Sequence, residues 1–119
     1  MNATARLVFV AFLMFLIDLP WLSVIGGNYS AVVQAIQGGR EVRMRPIAAL
    51  VVYPAMAFLA LKTVSLKDAF LTGGAVYAVY DFTVMSLFKE YPLYLALGDT
   101  AWGAFLFTAV FWLRQRFGF

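Results

Sequence analysis

Residues 7–25 form an apolar run broken only by Asp18, Pro20 and Ser23. At 1.5 Å per residue, roughly 19 residues of helix reach across the about 30 Å of hydrocarbon in a bilayer. A backbone in lipid must satisfy its own polar groups, so a continuous apolar run of this length reads as a transmembrane helix. A cleaved signal peptide is the competing reading, because Arg6 precedes the run. Asp18, Trp21 and the lack of a small-x-small cleavage site before Gly26 argue against it.

The pattern recurs three more times. Residues 46–61 open with Pro46, which at the first turn of a helix forfeits no hydrogen bond. Residues 69–88 form a third span, and residues 93–113 a fourth, opened by Pro92 after the turn Lys89-Glu90-Tyr91. Trp112, Arg114 and Arg116 supply an aromatic and basic stop at the last interface. Hydrophobic residues make up 64% of the 119 positions and charged residues 13%, more apolar surface than a soluble domain of this size can hide. The expected fold is all-α: an integral membrane four-helix bundle forming a single domain over residues 1–119.

The longest stretch between spans separates the first from the second. Asn28-Tyr29-Ser30 is a helix-start signal, Tyr29, Val32, Val33 and Ile36 share one helical face, and Gly38 and Gly39 form a stop. This predicts a short helix of two turns in the membrane interface, with an ordered loop as the alternative. Arg40, Arg43 and Arg45 follow, placed to contact lipid headgroups. The net charge of +3 lies in short loops at helix ends, which implies membrane lipids and not nucleic acid as the partner. The face carrying both termini holds Arg6, Lys62, Lys67, Arg114 and Arg116; the opposite face holds Arg40, Arg43, Arg45 and Lys89. The balance is close, and the amino-terminal position of Arg6 tips the termini toward the cytoplasm.

Cysteine and histidine are both absent. Thiolate and imidazole chemistry are thereby excluded, and proton chemistry must run on carboxylates, tyrosines or lysines. No cofactor is expected. The informative residues are the acids inside the spans: Asp18, Asp81 and Asp99. On insertion scales an aspartate near a helix centre costs about 2.5 to 3.5 kcal/mol, so each should face the bundle interior. Asp18 lies seven residues before Ile25, Asp81 seven before Phe88 and Asp99 seven after Pro92, while Tyr53 lies seven after Pro46. Each is therefore about 10 Å below the same membrane face. Tyr77 and Tyr80 accompany Asp81, Trp21 lies one turn from Asp18, and Trp102 one turn from Asp99. Gly74, Ala78 and Gly103 mark faces where another helix can approach closely. Pro20 and Pro54 free backbone carbonyls beside the layer.

The strings Asp18-Leu-Pro-Trp21, Tyr77-Ala-Val-Tyr80-Asp81-Phe-Thr83 and Asp99-Thr-Ala-Trp102-Gly103 resemble the D-x-x-W, Y-x-x-Y-D-x-T and D-x-x-W-G signatures of the DUF2177-like family, a group of small four-helix predicted membrane proteins. The resemblance spans nearly the whole chain. It implies the same four-helix topology and retained aspartates, and no activity.

Several functions fit such a layer. The acids can glue the bundle through Tyr53, Tyr77, Tyr80 and helix carbonyls; interhelical bonds of this kind contribute about 0.6 kcal/mol each on average. Alternatively Asp18, Asp81, Asp99, Tyr53, Tyr77, Tyr80, Trp21 and Trp102 form a binding site for a proton, a cation or a small solute. Its oxygen donors suit protons, sodium or a hard divalent ion, and its aromatic walls an organic cation. A third reading is a homo-oligomer or a non-catalytic accessory subunit of a larger membrane assembly, an energy-converting complex or the internal membrane layer of a large virus. Phe105, Phe107, Phe111 and Trp112 would then form its contact face. Least supported is a lipid-headgroup enzyme in which Arg40, Arg43 and Arg45 hold a phosphate above the acids.

Overall fold

The computed structural model describes residues 1–43 and 45–119; Met44 lies outside them. All the described regular structure is helical, in four elements: α1 (Ala3–Ile36), α2 (Pro46–Leu61), α3 (Leu66–Leu87) and α4 (Leu93–Phe117). Local chemistry accounts for their ends. The Asn2 side chain accepts from the amide of Ala5 at 2.7 Å and starts α1. Gly38 and Gly39, at φ 72° and 87°, stop it by taking the left-handed backbone that other residues resist. Ser65 accepts from the Asp68 amide, and the Asp68 carboxylate accepts from the Val64 amide, closing the N-terminus of α3. Gly118, again left-handed, ends α4.

Three helices, α1, α3 and α4, are long and apolar enough to cross a membrane, and α2 is a shorter apolar helix. The second span begins and ends where the sequence places it. The third runs over 66–87 instead of 69–88, and the fourth continues four residues past 113 to Phe117.

The first departs most. No separate interfacial helix exists: its residues form the last turns of α1, a continuous helix of 34 residues. Asn28 is not a cap, because the backbone amides it would serve are already bonded within the helix. The Gly26-Gly27 pair costs about 1 kcal/mol per glycine in helix propensity, too little to force a break where packing favours continuation. That packing is visible. Tyr29, Val32 and Ile36 lie against Tyr91, Leu95 and Ala96 at the α3–α4 turn.

The apolar interior is divided in two. A larger core near the termini gathers Val10 and Met14 from α1, Ala57 and Ala60 from α2, Ala69 from α3, and Leu106, Phe107 and Val110 from α4. A smaller one at the opposite end centres on Tyr91, Leu95 and Ala96. Along α1, α3 and α4 alike, an aspartate falls between the two. Short α2 contributes nothing to the smaller core.

The closest helix pair is α3 with α4, and glycine is the reason. A Cβ on Gly73 would meet the Gly103 carbonyl oxygen at 2.2 Å, and one on Gly103 would meet the Tyr77 ring at 2.3 Å. The crossing uses Gly73 and not Gly74, where a Cβ would find ordinary contact with Ala104 at 3.6 Å. Phe107 and Phe111 also differ from expectation: they are core residues, 0% and 6% exposed, while Phe105 and Trp112 do face outward. At the terminal end the Arg114 guanidinium donates to the Ala60 carbonyl at 3.3 Å, tying α4 to the carboxyl end of α2.

Candidate functional site

The two D-x-x-W strings lie on antiparallel helices, α1 and α4, and in each the indole stands one turn from the acid. Each acid bonds the other helix's tryptophan. Trp102 Nε1 donates to Asp18 Oδ1 at 2.6 Å, and Trp21 Nε1 donates to Asp99 Oδ1 at 3.0 Å. Between them the two indoles stack, centroids 5.3 Å apart and planes within 6°. The result is a reciprocal clasp joining α1 to α4 by two hydrogen bonds and one stack. Antiparallel orientation makes it possible, because the i to i+3 step on one helix runs opposite to that on its neighbour.

The three acids are not equivalent. Asp18, 5% exposed, also accepts from the Tyr53 hydroxyl of α2 through Oδ2, so both its oxygens are engaged. Asp99 accepts from Trp21 and borders two clefts. Asp81 is 0% exposed; Tyr91 donates to its Oδ1, and its Oδ2 has no partner among the described residues. Asp99 lies near enough to Asp81 for the two carboxyls to act on each other electrostatically. Among the described residues every donor to the three acids is a neutral indole or phenol. Next to Asp99, the Thr100 hydroxyl oxygen is buried without a partner as well.

Two clefts reach this centre. One, of about 540 Å³, lies between α2 and α3 and is apolar but for Tyr77, Tyr80 and Asp99. The other, also about 540 Å³, runs along α1 past Trp21, Ile25 and Tyr29 to Asp18, Tyr77 and Asp99. Tyr77 and Asp99 border both. The Tyr29 and Tyr80 hydroxyls are 2.6 Å apart, linking the wall of one cleft to the wall of the other.

Of the residues singled out in the sequence, Asp18, Tyr53, Trp21, Trp102, Asp99 and Asp81 come together and Tyr77 lies beside them. Tyr80 does not reach the acids; it is 53% exposed and pairs with Tyr29. Arg40, Arg43 and Arg45 are exposed, bordering with Gln37 and Glu41 a polar groove of about 740 Å³. Arg40 Nε donates to the Gln37 carbonyl at 3.0 Å, just past the end of α1. Among the described residues no three acidic side chains converge on one point.

Two tyrosines of the centre were not anticipated. Tyr91 sits in the α3–α4 turn, and burial pushes its hydroxyl above the ordinary tyrosine range, keeping it a donor to Asp81. The sequence signal was its place just before Pro92, in a turn that folds back over the buried end of α3. Tyr29 reaches Tyr80 only because α1 continues beyond Gly27.

No curated protein and no solved structure matches the chain. Its sequence matches a family described as predicted membrane protein (DUF2177) over residues 4–114. The reciprocal clasp and the buried acids are built from three strings that all fall within that match, and the chain belongs to the DUF2177 family of predicted membrane proteins.

Proposed function

We propose that this membrane protein binds a single positive charge, a proton or a monovalent cation, at the Asp81–Asp99 pair. The observation that carries the reading is the Asp81 Oδ2 atom, buried and without a partner among the described residues, on a carboxyl that has a second acid, Asp99, near it. Two adjacent carboxyls away from water cannot both be ionised unless a positive charge lies between them. Among the described residues none is supplied, since every donor to the acids is neutral. A structure with no such ligand would more economically carry amides or apolar groups at these positions.

Asp18 belongs to a different role. With both oxygens bonded it braces α1 against α2 and α4, the packing function expected of a satisfied intramembrane acid. Arg40, Arg43 and Arg45 serve as contacts for anionic lipid headgroups, each contributing about 1 kcal/mol near a negatively charged surface.

Infrared difference spectroscopy on the protein in lipid nanodiscs tests the assignment, with pH and sodium concentration stepped separately. The expected result is a carboxyl signal responding to one or both steps in the wild type and in Asp18→Asn, and abolished in Asp81→Asn and Asp99→Asn. A wild-type spectrum indifferent to both steps, with helical content intact, would refute the proposal.

A further inference from the structure

We infer that the charge taken up here is carried by a lipophilic organic cation, a hydrophobic amine or quaternary ammonium, that enters sideways from the bilayer between α2 and α3. The inference rests on the assignment of Asp81 and Asp99 as a site for one positive charge and concerns what brings that charge.

The α2–α3 cleft has the shape and chemistry such a ligand requires. Its volume, about 540 Å³, is in the range that accepts a drug-sized molecule. Val51, Val52, Ala55 and Met56 form one wall and Val76 part of the other, all apolar. Val51 is 68% exposed and Val52 48%, on the flank of α2, so the cleft opens toward lipid and not only toward an end of the bundle. Asp99 is the one carboxyl that lines it, and Tyr77 and Tyr80 line it as well.

A bare alkali ion using this route would shed its water among valine side chains, with only the Tyr77 and Tyr80 hydroxyls to offset the loss besides Asp99. An organic cation avoids that cost. Its apolar body matches the walls, its charge is diffuse, the tyrosine faces attract it, and one carboxylate completes the neutralisation. The Asp81 oxygen that lacks a partner among the described residues, the observation behind the assignment of the pair, is consistent with a further donor or charge reaching Asp99.

The test uses tetraphenylphosphonium as the probe and tetraphenylborate, of the same shape and opposite charge, as its control. Both are measured by equilibrium dialysis against the full-length protein in neutral detergent micelles. Saturable binding of the phosphonium alone is expected, weakened at least about tenfold by Asp99→Asn. Ala55→Phe and Val52→Phe, which fill the cleft and leave both acids in the chain, should weaken it similarly while the infrared response to pH or sodium persists. Phosphonium binding unchanged in both cleft variants, equal binding of the two probes, or no binding by a protein that retains its infrared response would each overturn the inference and leave the cation site standing. Loss of the infrared response in the wild type would instead remove the reading beneath it.

Discussion

Gly73 and Gly74 are neighbours on α3, and a methyl group added to each should have opposite consequences. At Gly73 the new Cβ would lie 2.2 Å from the Gly103 carbonyl oxygen and 2.7 Å from Phe107 Cβ. Ordinary carbon–oxygen contacts begin near about 3.3 Å, so α3 and α4 must separate by about 1 Å. The obstructing atoms are backbone and a β-carbon, which no rotamer change can move. Overpacking of this kind costs about 1 to 3 kcal/mol, and glycine's low helix propensity returns at most about 1 kcal/mol of it. At Gly74 the Cβ would sit 3.6 Å from Ala104 Cβ, an unstrained contact, so Gly74→Ala should be neutral or mildly stabilising. Reversible unfolding in mixed micelles, followed by helical circular dichroism as denaturing detergent is added, measures both. Gly73→Ala should also weaken phosphonium binding, because the α3–α4 crossing sets Asp81 against Asp99. A Gly73→Ala protein as stable as the wild type, or a Gly74→Ala protein equally damaged, would refute the assignment of the crossing point.

The reciprocal clasp predicts which pairs couple. In double-mutant cycles Asp18→Val should couple to Trp102→Phe by about 1 kcal/mol and much less to Trp21→Phe, whereas Asp99→Val should show the reverse; coupling within one helix instead would overturn the crossed arrangement. Tyr91→Phe removes the only donor that the described residues give the fully buried Asp81 carboxyl, and the same micelle unfolding assay should show a loss of about 1 to 3 kcal/mol, against little change for Tyr94→Phe, whose ring is exposed.

Much of the architecture was legible because lipid imposes so strict a rule on backbone. Length and apolar content place α2 at Pro46–Leu61 to the residue, and the other three helices to within a few residues except at the end of α1. That end was misread for a physical reason. Two glycines and an asparagine are a break signal in isolation, and they lose that force when Tyr29, Val32 and Ile36 can pack on the α3–α4 turn. The same limit explains Phe107 and Phe111. In a chain apolar on every side, periodicity cannot separate a lipid-facing ring from a core ring, because both surroundings select the same residues.

The candidate site divides along similar lines. That Asp18, Asp81 and Asp99 must face inward and lie at comparable depth follows from the sequence alone, through the cost of burying an acid and the fixed rise of a helix. Which acid is satisfied and which is left wanting does not follow, because it depends on rotation and side-chain reach between helices. Tertiary structure decided that α1 and α4 exchange tryptophans across the clasp and that Asp18 takes a second donor from α2. It also decided that Asp81 keeps one oxygen free beside Asp99. The chain encodes the acids one helix at a time; their inequality exists only where the helices meet.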